Sequence, residues 1–210
     1  MRIAMIGTGY VGLVSGVCFS EFGFDVTCVD IDADKIARLN AKEVPIYEPG
    51  LDALIERNLA AGRLAFTTAF DEAVAAADVV FVAVGTPSRR GDGEADLTYV
   101  YEAARQIARV MREGTVVVIK STVVVGTCRK VAEILRAERP GVDFSVASNP
   151  EFLREGSAIE DFMRPDRVVV GADRARAPAK GDGGWDGKWE ALAETKGSAV
   201  GSAGVEEGEL

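Results

Sequence analysis

Arg2-Ile3-Ala4-Met5-Ile6-Gly7-Thr8-Gly9-Tyr10-Val11-Gly12 reads as a short apolar strand that runs directly into a glycine-rich turn, with a helical pattern opening at Tyr10. Each glycine has its own physical task. Gly7 permits a tight turn, Gly9 lets a pyrophosphate approach the backbone, and Gly12 lets helix and strand pack closely; the helix N-terminus then offers amide donors and a favourable dipole. A glycine-rich turn without a ligand has the same appearance, so the reading depends on an acid at the end of the next strand. Val26-Thr27-Cys28-Val29 supplies that strand and Asp30 the acid, 18 residues beyond Gly12. A carboxylate there accepts hydrogen bonds from ribose hydroxyls and repels a 2′-phosphate, which favours NAD over NADP. Asp30 as a mere turn former is the weaker reading, because Asp32 already stands where a helix cap is needed. Lys35, one turn further on, lies over the ribose or is a solvated surface charge; the residues alone leave both open.

Working outward, residues 1–170 alternate β-branched runs with amphipathic stretches, the pattern of repeated βαβ units. Strands are predicted over 2–6, 25–29, 63–67, 78–84, 115–119, 144–147 and 167–170. Helices are predicted over 10–22, 33–41, 50–60, 98–112, 126–137 and 150–162. The run Val79 to Val84 is apolar on both faces, as a sheet covered on both sides requires. The expected fold is therefore α/β, a Rossmann-type doubly wound, mainly parallel sheet occupying residues 1–173. From Arg174 the composition changes: residues 174–210 hold eight Gly but only four of Val, Leu, Ile and Phe, together with both tryptophans, Trp185 and Trp189. Such a Gly/Ala/Glu-rich tail cannot offset the entropy of ordering it and is expected to be disordered, apart from a short helical pattern near Trp189 to Thr195.

Composition narrows the function. The 210 residues carry 24 Lys and Arg against 33 Asp and Glu, a net charge of −9 that disfavours a nucleic-acid partner. There is no histidine, which excludes His-based triads, His general bases and His-ligated zinc. Cys18, Cys28 and Cys128 are odd in number and far apart, so no disulfide framework or metal site is expected, and a reducing cytoplasm fits. Glycines interrupt the apolar start, so no signal peptide is read there, and no apolar run approaches the roughly 20 residues of a membrane span.

Three further turns leave strand ends. Gly85-Thr86-Pro87 follows the fourth strand and would face the middle of a dinucleotide, or be a plain loop breaker. Lys120-Ser121-Thr122 follows the fifth. Asn149-Pro150-Glu151-Phe152-Leu153-Arg154-Glu155-Gly156 follows the sixth and reads as an ordinary helix start, with Asn149 as N-cap and Pro150 in the first position. On such a helix Glu151 and Glu155 project from one face, and without histidine they are the acid–base candidates.

These motifs, with Pro45-Ile46-Tyr47-Glu48-Pro49-Gly50-Leu51 and Pro165-Asp166-Arg167-Val168-Val169-Val170-Gly171, resemble in order the amino-terminal half of the UDP-glucose/GDP-mannose dehydrogenase family. The Pro165–Gly171 segment is more similar to the UDP-glucose 6-dehydrogenase branch. The resemblance implies NAD-dependent oxidation of UDP-glucose, or a related nucleotide sugar, to UDP-glucuronate through a thioester on a cysteine. It implies that Gly7, Thr8, Gly9, Tyr10, Val11, Gly12, Asp30, Lys35, Gly85, Thr86, Ser121, Thr122 and Glu155 bind the cofactor. Glu151 and Thr122 would be catalytic, Glu151 as acid–base and Thr122 in holding water and cofactor. Glu151, Phe152, Leu153, Arg154 and Glu155 would line the sugar. Val124 departs from the family, which usually has proline there. The family's catalytic cysteine and lysine, and the helix on which its usual homo-oligomer is built, belong to regions past the point where this chain diverges into its tail. The chain therefore reads as a truncated or frameshifted dehydrogenase carrying the cofactor half, the rival being a stand-alone NAD-binding or regulatory module, or a nonfunctional fragment, without turnover.

Overall fold

The computed structural model describes residues 1–89 and 93–172; the expectations for the 174–210 tail and its tryptophans lie outside the described residues. Two-residue periodicity sets the architecture. In β1 (Arg2–Ile6), Ile3 and Met5 join one apolar cluster while Ala4 and Ile6 join the other. β4 (Val79–Val82) divides likewise, Val79 and Phe81 against Val80 and Val82, with every residue buried. Helices must therefore cover both faces.

They do so in the order expected of βαβ units. After β1 come α1 (Tyr10–Glu21), β2 (Asp25–Val29), α2 (Ala33–Asn40), α3 (Leu51–Ala60), β3 (Leu64–Thr67) and α4 (Phe70–Ala76). β4 is followed by α5 (Thr98–Val110), β5 (Thr115–Ile119), α6 (Thr127–Glu138), β6 (Phe144–Ser148), α7 (Ala158–Met163) and β7 (Gly171–Ala172). The sheet order is β3-β2-β1-β4-β5-β6-β7, parallel throughout except for β7, which runs antiparallel to β6. α1, α3 and α7 contribute to the cluster on the Ile3 face, and α4, α5 and α6 to the cluster on the Ala4 face. Phe19 of α1 lies 5.0 Å from the rings of both Phe81 and Phe162, which ties α1 and α7 to the middle of the sheet. Strand order reverses between β1 and β4, and the turns that leave their C-terminal ends meet there.

Three predicted elements differ. The strand expected to reach Val84 ends at Val82, because the Val82 carbonyl accepts from the amides of both Lys120 (2.9 Å) and Ser121 (3.1 Å) and the ladder turns out of register. The strand predicted over 167–170 is irregular, and pairing with β6 is made by Gly171 and Ala172 instead. The helix predicted from Pro150 begins only at Ala158. α4 is an addition: its seven residues, FDEAVAA, are too short to show a helical period convincingly.

Candidate functional site

Gly7 sits at φ +99°, and its amide donates to the Val29 carbonyl at 2.8 Å, which joins the turn to the end of β2. A Cβ on Gly7 would lie 2.6 Å from the Ala83 carbonyl oxygen, and one on Gly12 only 2.0 Å from the Gly7 carbonyl oxygen. The fold itself therefore requires both glycines. Gly9 differs: its φ of −68° suits any residue, and a Cβ there would meet nothing within 4 Å. The room above Gly9 faces the first turn of α1, whose leading amides have no acceptor within the helix. A dinucleotide pyrophosphate fits that combination of open backbone, amide donors and positive dipole end.

Asp30 stands beside this loop at the end of β2. Its Oδ2 accepts from the Thr8 amide (2.9 Å), the Thr8 hydroxyl (2.6 Å) and Lys35 Nζ (3.0 Å), while Oδ1 accepts from the Asp32 amide at 3.1 Å. Burial alone would raise the Asp30 pKa, but the bonds from Thr8, Asp32 and Lys35 outweigh it and bring it down to about 2. With the folded value depressed, the stabilisation from this carboxylate is fully present above the ordinary aspartate range and is lost progressively as pH falls from there through about 2. Asp32 caps α2 by accepting from the Lys35 amide at 3.0 Å, as its position suggested. Lys35 is not simply a solvated charge, since its ammonium pairs with Asp30.

The ends of β4 and β5 are stitched together. The Ser121 hydroxyl donates to the Val84 carbonyl at 2.7 Å, and the Thr86 hydroxyl to the Thr122 carbonyl at 3.0 Å. This brings Thr86, Ser121 and Thr122 to one edge, with Gly85 open and exposed beside them. Val124 does not undo the turn, because its carbonyl accepts from the amide and hydroxyl of Thr127 at 3.2 and 2.7 Å.

The segment after β6 corrects the expected helix start. Asn149 is buried and does not cap a helix at Pro150: its Oδ1 accepts from Lys120 Nζ at 3.3 Å and its Nδ2 donates to the Val169 carbonyl at 2.9 Å. Glu151 and Glu155 consequently do not share a helical face. The half-buried Glu151 accepts from the Leu153 amide at 2.6 Å, closing a local turn, and Glu155 is exposed. Arg154 is clasped by Asp161 through Nε (3.1 Å), Nη2 (2.6 Å) and its own amide (2.9 Å). Phe152 is exposed beneath the Arg167 guanidinium, 5.3 Å from its ring. A cavity of about 630 Å³ opens here, lined by Lys120, Glu151, Phe152, Arg154 and Val169 among others, beside Glu151 and not over the glycine loop.

Glu48 joins the two regions, a role that sequence did not disclose. Its buried carboxylate accepts from the Tyr10 hydroxyl and from the amides of Gly156 (2.8 Å) and Ile159 (3.2 Å). The first helical residue of the glycine loop, the segment carrying Glu151 and the first turn of α7 thus share one anion. Burial, then the bond to Glu48, pushes the Tyr10 phenol up to about 12. The only hint in sequence is an acid set among apolar residues and prolines at 45–51, a weak signal for a contact made across 108 residues of chain. Tyr10→Phe removes one bond to a charged acceptor and is expected to cost about 1.5 kcal/mol, a fall in melting temperature of roughly 3–6 °C. A shift below about 1 °C in a thermal melt would show that the tether carries no such load.

Residues 1–182 match the profile of the UDP-glucose/GDP-mannose dehydrogenase family, NAD binding domain, a match that runs past the compositional break at 173. The chain is 62% identical over 180 residues to the UDP-glucose 6-dehydrogenase of Rhizobium meliloti, covering 86% of this chain and 41% of that protein. With the UDP-glucose 6-dehydrogenase of Pseudomonas aeruginosa it shares 50% identity over 181 residues, 84% of this chain and 40% of the relative. Among solved structures, a UDP-glucose dehydrogenase from Pyrobaculum islandicum superposes with a TM-score of 0.83 at 45% identity, over 92% of this chain and 44% of that one. The GDP-mannose dehydrogenase of Pseudomonas aeruginosa does so with a TM-score of 0.80 at 39% identity, over 93% and 44%. The chain thus spans about two fifths of the length of these relatives. It belongs to the UDP-glucose/GDP-mannose dehydrogenase family, whose NAD binding domain it carries.

Proposed function

We propose that this chain is the cofactor-holding half of a UDP-glucose 6-dehydrogenase, an enzyme that oxidises the C6 alcohol of UDP-glucose to the carboxylate of UDP-glucuronate. The observation that carries the reading is the room over Gly9, in a loop whose other two glycines are closed off by backbone. NAD, when bound, supplies the hydride acceptor. The amides of Tyr10 and Val11 hold its pyrophosphate, and Asp30, with Lys35 beside it, takes the adenosine ribose. Gly85, Thr86, Ser121 and Thr122 border its middle, and Glu155 reaches it from the segment after β6. Glu151 is the acid–base group, Thr122 helps to position water, and Phe152 to Glu155 line the sugar. The similarity to the Rhizobium meliloti and Pseudomonas aeruginosa enzymes supports UDP-glucose as the sugar nucleotide.

Calorimetric titration with NAD and NADP tests the reading. NAD is expected to bind at least about tenfold more tightly, because a 2′-phosphate would approach the Asp30 carboxylate. Equal affinities, or no binding of either, would overturn it. A second reading, an NAD-binding or regulatory module without chemistry, is favoured by one observation: Cys18 and Cys28 are buried and Cys128 is half-buried, so no thiol stands ready at the site.

A further inference from the structure

We propose that Thr8 is a positioning residue for cofactor specificity, acting through Asp30 and not by touching the cofactor. The inference rests on the reading of Asp30 as the ribose-binding carboxylate. Thr8 occupies the first variable position of the glycine loop, yet it is 1% exposed. Its hydroxyl has one proton, and that proton is committed to Asp30 Oδ2 at 2.6 Å. It therefore has nothing to donate to a phosphate lying over Gly9.

The three bonds to Oδ2, from the Thr8 amide, the Thr8 hydroxyl and Lys35, saturate that oxygen. Among the described residues Oδ1 takes only the Asp32 amide, at 3.1 Å, and keeps an acceptor direction for a ribose hydroxyl. Which oxygen is offered, and where, is thus fixed from below by the loop that would carry the pyrophosphate. Lys35 makes the device necessary. Its ammonium, 3.0 Å from Asp30, is a group that a 2′-phosphate would attract, and Asp30 must be held in place to occupy it. The depressed Asp30 pKa agrees with this arrangement, since the Thr8 bonds favour the ionised form.

The experiment measures dissociation constants for NAD and NADP by calorimetry on the whole chain, with melting temperatures recorded for each variant. Thr8→Val keeps the shape and removes the hydroxyl, and the preference for NAD is expected to shrink roughly tenfold. Thr8→Ser restores the hydroxyl and should return the preference to within about threefold of the parent. Thr8→Ala, which adds no bulk, is measured alongside as protection against a poorly folded Thr8→Val and is expected to behave as Thr8→Val does. Asp30→Ala is the reference and should reduce the preference at least as far. If Asp30→Ala reduces it while Thr8→Val and Thr8→Ala leave it intact, the positioning role is refuted and the ribose reading stands. If Thr8→Val weakens both cofactors equally and lowers the melting temperature, Thr8 is merely structural and the proposal is likewise refuted. If Asp30→Ala itself leaves the preference unchanged, the ribose reading fails and the proposal with it.

Discussion

Gly9→Ala is expected to leave the chain folded and to weaken NAD binding at least about a hundredfold, whereas Gly12→Ala should damage the fold as well. The added methyl at Gly9 enters open space from an ordinary φ of −68°, so the folded state gains no clash. Its melting temperature should stay within about 2 °C of the parent, Ala for Gly being neutral or mildly stabilising where the backbone permits it. The same methyl fills the space for the pyrophosphate, and loss of two charge-assisted hydrogen bonds there amounts to at least about a hundredfold in affinity. At Gly12 the methyl would lie 2.0 Å from the Gly7 carbonyl oxygen, so backbone must move. Overpacking of this kind costs about 1–3 kcal/mol or more, a fall of roughly 2–12 °C, with cofactor binding lost as a by-product. Thermal melts and fluorescence titrations of the two variants separate the cases. A Gly9→Ala chain that binds NAD normally would remove the main support for the assigned site.

A chain of these 210 residues is further expected to bind NAD yet not to carry UDP-glucose through both oxidations to the carboxylate. Oxidation of an alcohol to an acid through a thioester needs a thiolate at the aldehyde level. Cys18 is fully buried within α1. Cys28 is fully buried in β2, where burial pushes its thiol up to about 12. Cys128 is half-buried in α6 and its pKa is also raised, chiefly by burial and only partly offset by a hydrogen bond with Ser148. A nucleophile drawn from Cys18 or Cys28 would have to leave a helix or strand interior, and Cys128, with its pKa raised by burial, is no ready thiolate. NADH absorbance followed at saturating NAD and UDP-glucose decides the matter; sustained formation through both oxidation steps would refute this reading.

Local chemistry was legible in the sequence wherever it was repeated or stereochemically forced. The strand, glycine turn and helix of residues 2–21 and the acid at Asp30 follow from period and from glycine geometry, and all are found where expected. The segment after β6 misled because Asn149-Pro150-Glu151 carries every local mark of a helix start. A buried Asn149 satisfies its amide with Lys120 and Val169 instead, partners that lie far along the chain and leave no local trace. The run Arg167 to Val170 misled for a related reason, since its β-branched residues suit a strand but Val169 lies along the wall of a cavity. Glu48 was invisible for the same cause: its three donors come from α1, from Gly156 and from α7, and only the folded chain brings them together.

The central place of β1 also bears on how the molecule is made. Its two neighbours are β2 and β4, so β1 stays unpaired on one side until Val79–Val82 has been translated and the intervening helices have found the sheet. Parallel pairing of such separated segments is slow, because loop-closure entropy is met before the contacts reward it. Ile3 and Met5, with no exposure in the finished protein to speak of, are therefore among the surfaces a nascent chain must shield longest. The same geometry makes the first six residues unsuitable for trimming: losing them would cut the sheet into two halves, each left with a bare parallel edge open to association with other chains.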